Sequence, residues 1–491
     1  MSNSRVRRIP EDITIHYTVC GILVSLYLSA PALHSLFRKS LDTGEVPYDW
    51  RHAAVVPLHK GGSKSSAANY RPVSLTSVVC KTFERILKEE IVHHLEDHQL
   101  ILKSQHGFLK GRSCLTNLIT YLEDVTRAID EGDPLDAIYL DFSKAFDKVP
   151  HKRLIRKIKA HGIADKVLFW IESWLRGRTQ QVTVQGKLSR MSEVLSGVPQ
   201  GSVLGPILFI LFVNDMDLVV SSKILKFADD AKLYLQLKNE KSAAQLQDDL
   251  DALCAWSDDW QMVFNVNKCA TIHFGYNNPG HDYEMNGENV RTTTEARDLG
   301  VLINKSLKPS NQCVAAAKKA NRALGMIRRT VENKTMVIMK KLYKQLVRPH
   351  LDYCSQAWSP WLRKDVDLLE SVQRRATKMV DGFRDLPYEE RLHRMHLTTL
   401  ERRRERGDLI ETFKILKHME RIKPEEFFTM APELHRTRGH ALKLEKKLCR
   451  LDVRRGFFSQ RVVNNFNALS SRAALCASVL EFKKSIQATY G

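Results

Sequence analysis

Two rhythms of apolar residues alternate along the chain, and the switches between them delimit its elements. An apolar run, Val19 to Leu33, leads into Leu33, Leu36, Phe37 and Leu41 at helical spacing, which predicts a buried helix. A strand is predicted over Ala53 to Leu58, then a polar Gly/Ser/Lys loop over His59 to Asn69. That loop closes on Asn69-Tyr70-Arg71-Pro72, where the proline pushes Arg71 towards extended backbone. Helices are predicted from about Ser77 to Glu96 and Leu115 to Glu131, separated by Gln105-His106-Gly107-Phe108. Ala137 to Asp141 reads as a short strand ending at a carboxylate. Helical spacing returns at Lys152–Lys159 and Lys166–Leu175, and Gln181 to Val184 alternates like a strand. Gly197-Val198-Pro199-Gln200-Gly201 precedes a strongly apolar helix, Leu204 to Phe212. Next come a hairpin whose turn carries Asp229-Asp230, with Ala231 to Leu235 as its second strand, and a helix over Ser242–Trp256. A strand pair is predicted around Phe264 to Phe274. Beyond Asn304 the pattern is of long basic helices: Ala315–Arg329, Val337–Leu346, Leu368–Val380 and Leu400–His418.

Length adds a soft prior of about three domains at ~150 residues each, and an ordinary globular composition excludes disorder, collagen and coiled coil for the whole chain. Nine cysteines without a framework point to a reducing compartment, and no Cys/His cluster has zinc-ligand spacing. Arg5, Arg7 and Arg8 before the first apolar run, with Ala30-Pro31-Ala32 at its end, imitate a signal peptide. Ser25, Ser29 and Pro31 interrupt the run, Glu11 and Asp12 precede it, and it falls short of the ~20 apolar residues that span a bilayer. Secretion and stable membrane association are therefore not expected. The net charge of +20 is uneven: residues 305–491 hold 40 basic and 20 acidic side chains, whereas 1–304 balance. A basic segment of this kind fits a polyanion, most often nucleic acid, although a solvated basic surface fits charge alone.

The candidate chemistry lies in three carboxylates: Asp141 at a strand end, and Asp229 and Asp230 at a hairpin turn. Adjacent acids on apolar strands repel and are poorly solvated unless cations lie between them. Hard divalent metals choose carboxylate oxygen, and a two-metal site suits phosphoryl transfer. A solvated Asp-Asp turn is the ordinary fate of such a pair, so the pair alone decides little.

The blocks around it decide more. Asn69-Tyr70-Arg71-Pro72-Val73-Ser74-Leu75, Gln105-His106-Gly107-Phe108 with Gly111-Arg112-Ser113, and Leu140-Asp141-Phe142-Ser143-Lys144-Ala145-Phe146-Asp147 come in this order. Ser196-Gly197-Val198-Pro199-Gln200-Gly201-Ser202, Phe227-Ala228-Asp229-Asp230, Asn267-Lys268 and Asp298-Leu299-Gly300-Val301 follow. From about residue 24 to the C-terminus the chain resembles the reverse transcriptases of LINE-type (non-LTR) retrotransposons, in the jockey and chicken-repeat branch.

The resemblance implies an α+β right-hand polymerase. Residues 1–45 would be a helical lead-in, 46–135 fingers, 136–304 a palm with a small antiparallel sheet, and 305–491 a helical thumb with a basic all-α extension. It implies RNA-directed DNA synthesis with two Mg²⁺ ions, for which Mn²⁺ could substitute. Asp141, Asp229 and Asp230 would be the metal-binding catalytic acids. Arg71 and Lys60 would hold the triphosphate, the forked guanidinium suiting phosphate. Phe146 would be the steric gate against ribonucleotides, or a core phenylalanine, or both. Gln200 and Gly201 would lie under the nucleotide, Lys268 would assist the leaving pyrophosphate unless it is a plain surface lysine, and Leu299, Gly300 and Val301 would form the primer grip. Asp147 reads as structural, and His106, His151 and Cys114 as packing or loop residues. Arg374-Arg375, Arg402-Arg403-Arg404 and Arg454-Arg455 could contact phosphates, while Trp358, Trp361, Phe457 and Phe458 are as readily core as stacking platforms. Template RNA, primer DNA and dNTPs are the implied partners, with cytoplasm and nucleus the implied location. The family's N-terminal endonuclease has no room ahead of the fingers, and residues 1–23 match no block. The rival readings are a catalytically silent or domesticated nucleic-acid-binding relic, and an RNA-dependent RNA polymerase, which a small residue in place of Phe146 would favour.

Overall fold

The computed structural model describes residues 26–432 and 440–490. Arg5, Arg7, Arg8 and the apolar run before Leu26 lie outside these residues. The rest of that run forms a helix, Leu26–Thr43, lying on the surface rather than buried as expected. Within 30–43 only Phe37 and Ser40 are enclosed, and Trp170 Nε1 donates to Ser40 Oγ at 3.0 Å. The apolar positions at helical spacing therefore make one narrow stripe, too little to bury the whole helix.

Two sheets frame the molecule. In the first, β1 (His52–His59) and β2 (Tyr70–Leu75) pair antiparallel, β4 (Arg178–Val184) runs parallel to β1, and β5 (Lys187–Leu188) and β6 (Ser192–Val194) pair with β4. The second is central. It comprises β3 (Leu135–Leu140), β7 (Lys223–Phe227), β8 (Asp230–Gln236), β9 (Ala270–Phe274) and β12 (Arg291–Thr292), in the order β12–β9–β3–β8–β7. All its pairings are antiparallel except β12 with β9, so the sheet is mixed at one edge. The strand pair expected around 264–274 is a single strand: Phe264 makes only an isolated bridge to Phe142, and β9 pairs with β3 instead. Two small hairpins complete the set, β10 (Glu284–Met285) with β11 (Glu288–Asn289) and β13 (Glu295–Asp298) with β14 (Val301–Asn304).

The central sheet is covered on both faces, which is why β3 reads as nearly unbroken apolar sequence rather than as an alternation. Leu135 and Ala137 join a core with the helix Cys114–Glu131 and the helices beyond Asn304, whereas Ile138 and Leu140 join a second core with Leu208, Phe209 and Trp174. Cys114–Glu131 begins at a capping box, Ser113 with Thr116, and stops at Gly132 with φ +99°. Gly205–Phe212 is apolar all round, and every residue in it but Pro206 is buried. Its C-terminal carbonyls are met by two buried ammonium groups: Lys157 Nζ donates to Phe212 O, and Lys226 Nζ to Val213 O and Asn214 O at 3.0 Å each. Asp215 and Asp217 balance these two charges, and cations are favoured at that end of a helix dipole.

No named strand follows Asn304 among the described residues. The long helices there are Ser310–Thr330, Arg363–Lys378 and Leu400–Leu416, and Met336–Leu342 runs on into a π-helical turn, Tyr343–Val347. These elements share the first core rather than forming one of their own. The carboxylate of Glu123 accepts from Arg454 Nη2 and Ser459 Oγ, each at 2.6 Å and buried.

Candidate active site

Register brings the acids together. Phe227 pairs with Asp230 across β7 and β8, leaving Ala228 and Asp229 as a two-residue turn in which Ala228 takes φ +56°. Leu140 pairs with Ala231, so the next residue of that chain, Asp141, comes level with Asp230. Asn265 N–H donates to Asp141 O at 2.7 Å and holds this strand end.

The electrostatics record the crowding. Burial and the Asp141 charge push the Asp229 carboxyl up, while its own backbone N–H and the cations of Arg71 and Lys60 oppose them. Loss of hydration in the cleft, then the charges of Asp229, Asp298 and Asp141, raise Asp230 to about 6 even though its side chain meets solvent. Lys268 Nζ lies 3.5 Å from Asp141 Oδ1, and both are exposed enough for water to weaken the pair. A polar cavity of about 120 Å³ opens beside Asp141, Asp230, Lys268 and Leu299.

The acids supply hard oxygen donors whose mutual repulsion the nearby cations only partly offset, which fits divalent cations. No group of three or more His, Cys, Asp or Glu among the described residues already converges into a metal cage. Mg²⁺ does not require one, since it is held by one or two carboxylates together with water and substrate phosphate.

The remaining site residues approach from other elements. Arg71 and Lys60, on the β1–β2 hairpin, are exposed, and their charges reach Asp229. Ser74 N–H donates to Gln200 O at 2.7 Å, and Gln200 Nε2 donates to Asp147 Oδ1 at 2.9 Å. Gly201 has φ +125°, and a Cβ there would lie 2.3 Å from Ser74 O. Only glycine lets this loop lie against β2. Phe146 is half-buried and stacked on Phe209, with ring centroids 4.3 Å apart and 15° between planes. Leu299 and Gly300 form the β13–β14 turn with φ +45° and +88°. Val301 is 1% exposed and belongs to the core. The turn exposes Leu299 in part and Gly300, while strand alternation sends Val301 inward.

Three supporting residues have no role that their motifs alone would assign. Gln105 is fully buried, and its Oε1 accepts from Ala228 N at 2.9 Å and Gly107 N at 2.8 Å, bracing the Asp229 turn. Its place in a motif block was the available signal. Glu84 accepts from Val203 N at 2.6 Å and Leu204 N at 3.1 Å, anchoring the loop after Gly201. Burial raises its carboxyl, and nothing local in the sequence distinguishes it from any helix glutamate. Lys232 ion-pairs with Asp298 inside the protein. His106 is buried with Nδ1 2.9 Å from Thr116 Oγ1, and His151 Nε2 lies 2.8 Å from Gly197 O.

Among the basic pairs, Arg374, Arg375, Arg402 and Arg455 are exposed, but Arg404 and Arg454 are buried and withdrawn from phosphate contact. Arg403 pairs with Asp352 at 2.7 Å. Trp358, Phe457 and Phe458 are core, not stacking platforms. Among the described residues no helix is long and apolar enough to cross a membrane.

Residues 59–325, more than half of the chain, match the family model described as reverse transcriptase (RNA-dependent DNA polymerase). A "Probable RNA-directed DNA polymerase from transposon X-element" of Drosophila melanogaster is 27% identical over 362 residues, covering 71% of this chain and 39% of that protein. The "RNA-directed DNA polymerase from mobile element jockey" of the same organism is 27% identical over 369 residues, again covering 71% and 39%. The chain thus spans about two fifths of the length of these relatives. A solved apo telomerase from Candida Tropicalis aligns with a TM-score of 0.41 at 12% identity, over 75% of this chain and 66% of that one.

Proposed function

Because the chain belongs to the reverse transcriptase (RNA-dependent DNA polymerase) family, we propose that it is the RNA-directed DNA polymerase of a LINE-type retrotransposon, extending a DNA primer on an RNA template with dNTPs. The observation that carries this reading is the register that sets Asp141 level with Asp230 beside the Asp229 turn, with the charges of Arg71 and Lys60 reaching Asp229. In this reading residues 46–135 are fingers, 136–304 palm and 305–491 thumb with a basic extension, after a lead-in of 1–45.

Asp141, Asp229 and Asp230 would hold two Mg²⁺ ions, which when bound would neutralise phosphate charge and favour an ionised attacking oxygen. Arg71 and Lys60 hold the triphosphate from the β1–β2 hairpin. The Gln200–Gly201 loop, its backbone held by Ser74 and the Gln200 side chain by Asp147, forms the floor under the nucleotide, and Phe146 stands where a ribose 2′-hydroxyl would collide. The Leu299–Gly300 turn places the primer 3′-hydroxyl, which attacks the α-phosphate as the bond to pyrophosphate breaks. Lys268, beside Asp141, meets the charge that develops on the leaving group. Catalysis here is positioning and charge neutralisation rather than covalent participation.

The test is extension of a DNA primer annealed to RNA, with dNTPs or rNTPs supplied separately. Dependence on RNA template, dNTPs and a divalent cation supports the reading. Preference for rNTPs would make the chain an RNA polymerase, and binding without extension would make it a silent relic.

A further inference from the structure

The β13–β14 hairpin is too short to hold its own position, since four residues a side are marginal in water. Val301 and Ile303 seat it in the core and Gln312 Oε1 accepts from Leu302 N–H at 3.0 Å, and two further ties hold its turn end. Beside the turn the Asp298 carboxylate accepts from Lys232 Nζ, with the side chains 6% and 3% exposed. Lys232 lies two residues beyond Asp230 on β8, and so on the same face of that strand. Its ammonium also sits 4.5 Å from the centroid of the Tyr121 ring. At the tip, Tyr353 Oη donates to Leu299 O at 2.9 Å, and a Cβ on Gly300 would touch the Tyr353 ring at 3.5 Å. Lys232, Asp298 and Leu299 line the cavity that also borders Asp141, Asp230 and Lys268.

A buried ion pair stabilises poorly compared with apolar side chains of similar volume. What it does impose is location, because Lys232 is satisfied only when Asp298, and hence the turn beside it, occupies one place. We propose that Lys232 and Tyr353 are positioning residues that set the Leu299–Gly300 turn against Asp230, and through it the primer 3′ end. This rests on the polymerase reading above. A displacement of about 1 Å at a reacting atom can cost 10²-fold in rate, so slackening either tie acts on the chemical step rather than on nucleotide binding.

The test is single-turnover addition of one dNTP by the full chain on poly(rA)/oligo(dT), which ignores any inactive fraction. Lys232→Met/Asp298→Leu removes both buried charges together, and Tyr353→Phe removes one hydroxyl from an exposed ring. The expected result is a maximal rate at least about tenfold lower in the double variant and about threefold lower in Tyr353→Phe, by the same positioning argument. The dNTP concentration at half-maximal rate should stay within about twofold of wild type, because nucleotide contacts are untouched. A folded double variant with the wild-type rate overturns the proposal. Should that variant not fold, an unchanged rate in Tyr353→Phe overturns it instead. A wild type that extends nothing fails the polymerase reading and the ties with it, whereas extension by the wild type and by both variants alike fails the ties alone.

Discussion

Phe146 serves two neighbours at once: its inner face stacks on Phe209, while its half-buried outer side borders the proposed nucleotide site. Phe146→Val should therefore raise the use of rNTPs relative to dNTPs and cost about 1–3 kcal/mol, less than the truncation of a fully buried phenylalanine. Competition between the two nucleotide types, with a denaturation midpoint, checks both; an unchanged ratio in a folded variant makes Phe146 core alone. His106 gives a pH prediction. Burial, then the charges of Arg112 and Lys232, lower its pKa from 6.5 to about 3. The folded state thus stays neutral where the unfolded chain binds a proton. Stability is full above pH 6.5 and falls with pH towards 3, by up to about 1.4 kcal/mol per unit from this group. Urea unfolding of wild type and His106→Gln at pH 6.5 and 5 should show the larger loss in wild type; equal losses would contradict it. At this scale the acids were legible because their spacing fell inside motif blocks. Arg404 and Arg454 were not, since a residue's charge does not announce whether a carboxylate such as Glu123 waits for it several hundred residues away.

The loop Gly197–Ser202 joins the site to the first sheet, and neither of its glycines has room for a side chain. A Cβ at Gly197 would lie 2.6 Å from Asp147 O, and one at Gly201 still closer to Ser74 O. Gly201→Ala should cost at least about 1–3 kcal/mol in backbone strain and weaken dNTP binding by lifting Gln200 away from β2. A folded variant with unchanged half-saturation for dNTP would show that the loop does not form the nucleotide floor. Most helices were legible from periodicity, and so was the β7–β8 hairpin with its turn. The failures have physical causes. The 264–274 segment offers two apolar clusters, but the strand partner of Ala270–Phe274 lies at 135–139, a distance no local pattern encodes. Within 30–43 the first helix buries only Phe37, against Phe83 and Trp50, and Ser40, which accepts from Trp170, so one narrow side is covered.

For the molecule as a whole, charge and core divide differently. All of the net +20 lies in 305–491, yet that half packs into the same core as Cys114–Glu131 and β3, so it is not a detachable basic module. Nucleic-acid affinity is better tested on the intact chain by reversing the exposed Arg374, Arg375 and Arg402 to Glu. If each meets a phosphate, the dependence of log affinity on log salt should flatten by up to about three units, at ~0.9 for each phosphate no longer neutralised; an unchanged slope would move the anchor elsewhere. Sequence showed the charge asymmetry but not the shared core, which depends on buried pairings such as Arg454 with Glu123. The central claim is that Asp141, Asp229 and Asp230 form the catalytic acid cluster, and one variant tests it most directly. In Asp229→Asn the burial cost and the Asp141 repulsion that raise this carboxyl are relieved, so thermal stability and primer–template affinity should equal or slightly exceed wild type. Magnesium-dependent primer extension should fall by at least about 10²-fold, the scale of losing a preorganised electrostatic group. Extension near the wild-type rate by a folded Asp229→Asn protein would contradict the account.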